Sequence, residues 1–64
     1  MKIWIARDSY GLWLFAYKPL KKVTNNDKYF SKENNIRYLL DSNLFPEVTF
    51  ENSPMEIELK FIKK

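Results

Sequence analysis

Sixteen residues near the start of the chain, Lys2 to Tyr17, most constrain what it can fold into. They comprise two runs of β-formers, Ile3–Arg7 and Leu12–Tyr17, on either side of Asp8-Ser9-Tyr10-Gly11. Such a pattern predicts a β-hairpin. Asp suits the first position of a type I turn, and Gly suits the fourth, where φ turns positive and a bulge closes a three-residue loop. The predicted register sets Asp8 opposite Leu12 and pairs Arg7–Trp13, Ala6–Leu14, Ile5–Phe15, Trp4–Ala16 and Ile3–Tyr17. One face then carries Ile3, Ile5, Trp13, Phe15 and Tyr17; the other carries Trp4, Ala6, Leu12, Leu14 and Ala16. Neither face is polar enough for water, so the hairpin reads as the nucleus of a small sheet covered on both sides.

The whole chain, residues 1–64, is predicted to be one domain. At that size burial is marginal, and small domains usually add disulfides, a metal or a partner subunit. With no Cys and no His, disulfides, thiolate chemistry and the common zinc sites are excluded. A dense aromatic core and self-association are the remaining remedies, and eleven aromatic residues supply the first. No apolar run is long enough to span a bilayer, and Met1-Lys2 leads straight into an alternating strand, unlike a secretory leader. A soluble, cytoplasmic protein is the expectation.

Charge is unevenly spread. Residues 1–32 hold seven Lys/Arg against two Asp, a balance of +5, while residues 33–64 hold four against six, a balance of −2. Such asymmetry suits head-to-tail attraction between copies or an acidic partner, although a solvated surface explains it as well.

After the hairpin, Lys18-Pro19 closes the second strand, because proline lacks a ladder N–H. Leu20 to Asn26 reads as a polar, basic connection with a turn cluster at Thr24–Asp27. Tyr29-Phe30 is an aromatic island of strand-like composition. Ile36–Asp41 fits both periods, but its length favours a strand with Ile36, Tyr38 and Leu40 on one face. Leu44-Phe45 before Pro46 predicts a tight turn or one 3₁₀ turn plugging the core, and Val48–Phe50 a short strand. Met55 to Ile62 alternates most clearly, with Met55, Ile57, Leu59 and Phe61 inward and Glu56, Glu58 and Lys60 outward. The fold class is therefore mainly β: a small antiparallel sheet or barrel of four to five strands built on the N-terminal hairpin, with room for one short helix or 3₁₀ turn.

Catalytic chemistry has little to work with. Glu56 and Glu58 stand two apart on one strand face, as paired carboxylates of hydrolases can, but an open face has no pocket to raise one pKa. Asp41, Asn43 and Glu47 could offer oxygen ligands to Ca²⁺, yet they match no known loop pattern, and turn chemistry accounts for them. Gly11 is the sole glycine, so no phosphate-cradling loop exists. No metal, no cofactor and no enzymatic activity are expected. Arg7 opposite Trp13 would form a cation–π pair. The basic connection mixes cations with aromatics (Tyr17, Lys18, Lys21, Lys22, Lys28, Tyr29, Phe30 and Lys32), as single-strand binders do.

Two stretches resemble the opening and closing halves of a group of short uncharacterised proteins from gut bacteria and their phages or mobile elements. These are Ile3-Trp4-Ile5-Ala6-Arg7-Asp8 with Leu12-Trp13-Leu14-Phe15 and Lys18-Pro19, and the run from Asp41 to Leu59. The resemblance implies a bacterial or phage cytoplasmic origin and no particular chemistry. Such relatives are expected to carry glycine before the last proline, where this chain has Ser53.

The sequence thus predicts a non-enzymatic protein-interaction module of unknown partner, with homodimerisation through an aromatic hairpin face as one form of it. The alternative is a weak single-stranded nucleic-acid binder. Candidate binding residues are Trp4, Trp13, Phe15, Tyr17, Lys18, Lys21 and Lys22.

Overall fold

The computed structural model describes residues 1–60, which are all-β with no helix. β1 (Lys2–Asp8) and β2 (Gly11–Phe15) form the N-terminal hairpin, and β3 (Lys21–Val23) and β4 (Lys28–Phe30) form a second. β5 (Arg37–Leu40) and β6 (Met55–Glu58) extend the first hairpin into a four-stranded antiparallel sheet of order β5-β2-β1-β6. The sheet stays open, with β5 and β6 as its edges, and no barrel closes. Two elements depart from expectation. Lys21–Val23, expected as a connection, is a strand, and Val48–Phe50, expected as a strand, lies in a loop of turns. The last strand, expected to run from Met55 to Ile62, ends at Glu58, leaving Leu59 and Lys60 exposed beyond it, and Phe61 and Ile62 lie outside the described residues.

The N-terminal hairpin forms where expected but one residue out of register. Asp8 faces Gly11, and the ladder runs Arg7–Leu12, Ala6–Trp13, Ile5–Leu14 and Trp4–Phe15. The loop is therefore only Ser9-Tyr10. Its closure comes from the Asp8 carboxylate, whose Oδ1 accepts the amides of Tyr10 (2.8 Å) and Gly11 (3.2 Å). Gly11 does take positive φ, at +144°, but as the first residue of β2. Because side chains alternate, a one-residue slip moves one strand's whole set to the other face. Ile3, Ile5, Leu12, Leu14 and Ala16 consequently share one face, while Trp4, Ala6, Trp13 and Phe15 share the other. The expected Arg7–Trp13 pair is lost with the old register. Arg37 of β5 stacks on Trp13 instead, its guanidinium carbon 4.0 Å from the ring centroid.

The two faces have separate cores. Ala6, Phe15 and Phe30 form one, flanked by Trp4, Trp13 and Phe50. A lone two-stranded hairpin is marginal in water, so β3–β4 depends on this docking. Burying Phe30 supplies about 2–3 kcal/mol, and its ring meets Phe15 and Phe50 at centroid distances of 6.4 and 5.5 Å. Hydrogen bonds join the two hairpins at Ser9 N to Lys28 O (3.1 Å) and Phe30 N to Asp8 Oδ2 (3.3 Å). On the opposite face, Ile5, Leu12 and Val48 form the second core, with Leu40 and Ile57 against it.

The loop between β5 and β6 reaches that second core because Arg7 holds it. The Arg7 guanidinium donates to the carbonyls of Val48 (2.6 Å), Ser42 (3.0 Å), Leu44 (3.0 Å) and Phe45 (3.2 Å). Ser53 Oγ accepts the Arg7 amide at 3.0 Å, and the Ser53–Pro54 bond is cis. Leu44 and Phe45, expected as a plug, lend their carbonyls to Arg7 while their side chains stay exposed; Val48 is the residue that plugs the core. Asp41 accepts the Asn43 amide in an Asx turn, which is the turn chemistry expected of it.

Candidate functional site

Two surfaces stand out. The first is a cleft of about 580 Å³ between the Trp13 face of the sheet and the β3–β4 hairpin. Cross-strand pairing puts Lys22 opposite Tyr29 and Lys21 opposite Phe30 on alternate faces of the hairpin, and Lys22, Tyr29 and Phe30 line the cleft while Lys21 does not. The cleft's walls carry the aromatics Tyr10, Trp13 and Tyr29, the cations Lys22, Lys32 and Arg37, and the acids Asp8, Asp27 and Glu33. Two of the acids are already engaged. Asp8 accepts from Phe30 N, Trp13 Nε1 (3.1 Å) and the two turn amides, and Asp27 accepts the Tyr10 hydroxyl and the Lys28 amide. The Tyr10–Asp27 hydrogen bond, followed by the Asp27 charge, raises the Tyr10 pKa above its ordinary value. Among the described residues Lys22, Lys32 and Arg37 form no ion pair.

The second surface is the half of the Ile5 face that the β5–β6 loop does not reach. Register defines rows across the sheet. Leu40–Leu12–Arg7 lies under the loop, and Tyr38–Leu14–Ile5–Met55 comes next; beyond it lie Ile3–Ile57 on one side and, joined by Ala16 N to Ile36 O, Ala16 and Ile36 on the other, while Leu59 N to Met1 O continues β1–β6 past Ile57. No residue of the last two rows is charged. Ile36 and Tyr38 are 56% and 64% exposed, with Leu14, Ile3 and Ile57 half-buried and Leu59 exposed at the margin.

The sequence-derived candidates separate accordingly. Trp13 and Lys22 line the cleft. Phe15 is wholly buried and presents nothing to a partner, and Trp4 packs half-buried beside it. Lys21 lies over the Phe50 ring at 4.7 Å and donates to Glu51 O, so it and Lys28, 5.7 Å from the same ring, point away from the cleft. Tyr17 and Lys18 line a smaller hollow of about 260 Å³, where the Tyr17 backbone exchanges hydrogen bonds with the Asn35 side chain. Tyr10 and Arg37 were not legible as site residues. One sits at a turn tip and the other begins a strand distant in sequence, and only packing of the two hairpins brings them together.

The fold defines a small all-β domain in which a two-stranded hairpin packs on a four-stranded antiparallel sheet. Comparison with protein-family models, with curated proteins and with solved structures finds no match for this chain. No helix among the described residues is long and apolar enough to cross a membrane.

Proposed function

We propose that this chain is a non-enzymatic interaction module, and that the open half of its sheet is the working surface, taken up by a second copy of the chain. The observation that carries this is the charge-free surface beyond Ile5, made of Tyr38, Leu14 and Met55 and then Ile36, Ala16, Ile3 and Ile57, which the described residues leave wholly or partly exposed where the β5–β6 loop stops at Val48. Apolar patches of this kind mark contacts. An occupant must be apolar over the same extent, since any charge set against those rows would lose its hydration without a partner. A second copy meets that need through two-fold symmetry, in which one patch faces its own image. It also supplies the cover that the described residues do not give these rows. A non-enzymatic reading is supported by the state of the carboxylates. Asp8 is occupied by four N–H donors, and Glu56 pairs with Lys2 at 3.1 Å on an exposed edge strand.

Sedimentation equilibrium from low to high micromolar concentration tests the reading. A dimer is expected, returning to monomer in Leu14→Glu and in Tyr38→Glu. Tyr38→Glu changes an exposed side chain, so its fold survives. A strict monomer at high micromolar concentration overturns self-association.

A further inference from the structure

We propose that the cleft between the two hairpins binds single-stranded nucleic acid, one base stacking on its aromatic wall while the adjoining phosphodiester lies on Lys22 and Lys32. This site is on the opposite side of the sheet from the self-association surface and does not depend on it. Three features lead to it. The cleft combines three tyrosine or tryptophan rings with three cations that have no acidic partner among the described residues, and single-strand sites are built from aromatic platforms beside a cationic track. Its volume of about 580 Å³ is within the range that holds a drug-sized ligand, the size class of a nucleotide. The walls are also pre-set: Tyr10 to Asp27, Ser9 to Lys28 and Asp8 to Phe30 join the hairpins before any ligand arrives, so little ordering is left to oppose binding.

The residues narrow the ligand further. Tyr10 is largely exposed and Tyr29 half-buried, so both offer ring surface, while the Arg37 guanidinium lies on Trp13 and presents its own planar face. Glu33, Asp8 and Asp27 balance the three cations of the lining. That disfavours a multiply charged triphosphate and suits a diester carrying one charge per base. Of the five lysines in the basic region of the sequence, only Lys22 and Lys32 reach this track, because Lys21 and Lys28 are held at Phe50 and Lys18 lines the other hollow.

Fluorescence anisotropy with a labelled twelve-residue oligothymidylate at low salt tests the proposal. Binding is expected, weakening steeply as salt rises through counterion release. Lys22→Ala with Lys32→Ala should lower the salt slope by roughly one unit per lysine. Tyr29→Ala should weaken binding by about tenfold with the salt slope unchanged. Lys18→Ala with Lys21→Ala removes the same charge outside the cleft and should leave affinity within about twofold. Thymidine monophosphate should displace the strand at high concentration, and inorganic phosphate should not. Circular dichroism confirms that each variant folds. A flat titration at low salt, equal losses from the two double-lysine variants, or displacement by phosphate as effective as by the nucleotide would each overturn the proposal.

Discussion

Arg7 and Asp8, adjacent on β1, do opposite jobs on opposite faces. Arg7 donates to four loop carbonyls and so positions Val48 over Ile5 and Leu12. Lysine has charge but lacks the planar fork that reaches several acceptors at once. Arg7→Lys is expected to cost about 2–3 kcal/mol in urea unfolding, in line with hydrogen bonds to a charged group. Asp8 gathers four N–H donors from its own turn, from Trp13 and from β4. In Asp8→Asn one carboxylate oxygen becomes an NH₂ facing donors, and a loss of about 1–3 kcal/mol should appear in the same assay. Gly11 follows that turn at φ +144°, and a Cβ there would lie 3.0 Å from Leu39 Cδ1. Gly11→Val is therefore expected to destabilise by about 1–3 kcal/mol through backbone strain and the Leu39 contact together. A melt unchanged from wild type would mean that the turn relaxes without cost.

The second hairpin is the element most dependent on others. Its two strands hold three residues each, and what keeps them ordered is Phe30 in the core plus the ties from Ser9, Asp8 and Tyr10. The Tyr10 tie gives the element a pH dependence. Hydrogen bonding to Asp27 raises the folded Tyr10 pKa above 10.0, its ordinary value. The protonated phenol is thus the form the fold favours. Its contribution is complete below pH 10.0 and is lost as pH rises through the higher folded pKa. Tyr10 is solvent-exposed, so the effect is local. Amide exchange in β3 and β4 should accelerate above pH 10.0 beyond the intrinsic base-catalysed rate, and Tyr10→Phe should remove that excess. An identical excess in the variant would assign the alkaline loosening to other groups.

At the scale of the molecule, one sheet carries two unlike faces. The Phe15 face is covered by the chain's own second hairpin and opens into an aromatic cleft lined by both cations and carboxylates. Among the described residues the Ile5 face is covered only as far as Val48. If the open rows are taken up by a second copy, folding and association are linked, and the melting temperature must rise with protein concentration. Scanning calorimetry over a hundredfold concentration range should show that rise for wild type and a constant value for Tyr38→Glu. A constant wild-type value would mean that the sheet is stable with this face open.

What the sequence determined by itself is the set of local structures. Two β-forming runs around Asp8–Gly11 make a hairpin, six residues from Ile36 are too few for a helix, and the alternation from Met55 to Ile62 marks a strand, which forms over Met55–Glu58. Each rests on propensity, period or turn chemistry acting within a few residues. Register was not legible in the same way. Three- and two-residue loops are both compatible with Asp8-Ser9-Tyr10-Gly11, and the choice depends on an Asp8 carboxylate that also serves Trp13 and Phe30. That single step reassigned Trp13 and Phe15 to the face of Trp4 and Ala6. Lys21–Val23 is polar and exposed, without the apolar alternation of a strand, and is one only because β4 docks through Phe30 and pairs with it. Tertiary packing alone decided that Arg37, not Arg7, meets Trp13, and that Lys22 and Lys32 converge while Lys21 turns to Phe50. Those contacts join residues far apart in sequence, and no local pattern encodes which distant side chains the packed hairpins bring together.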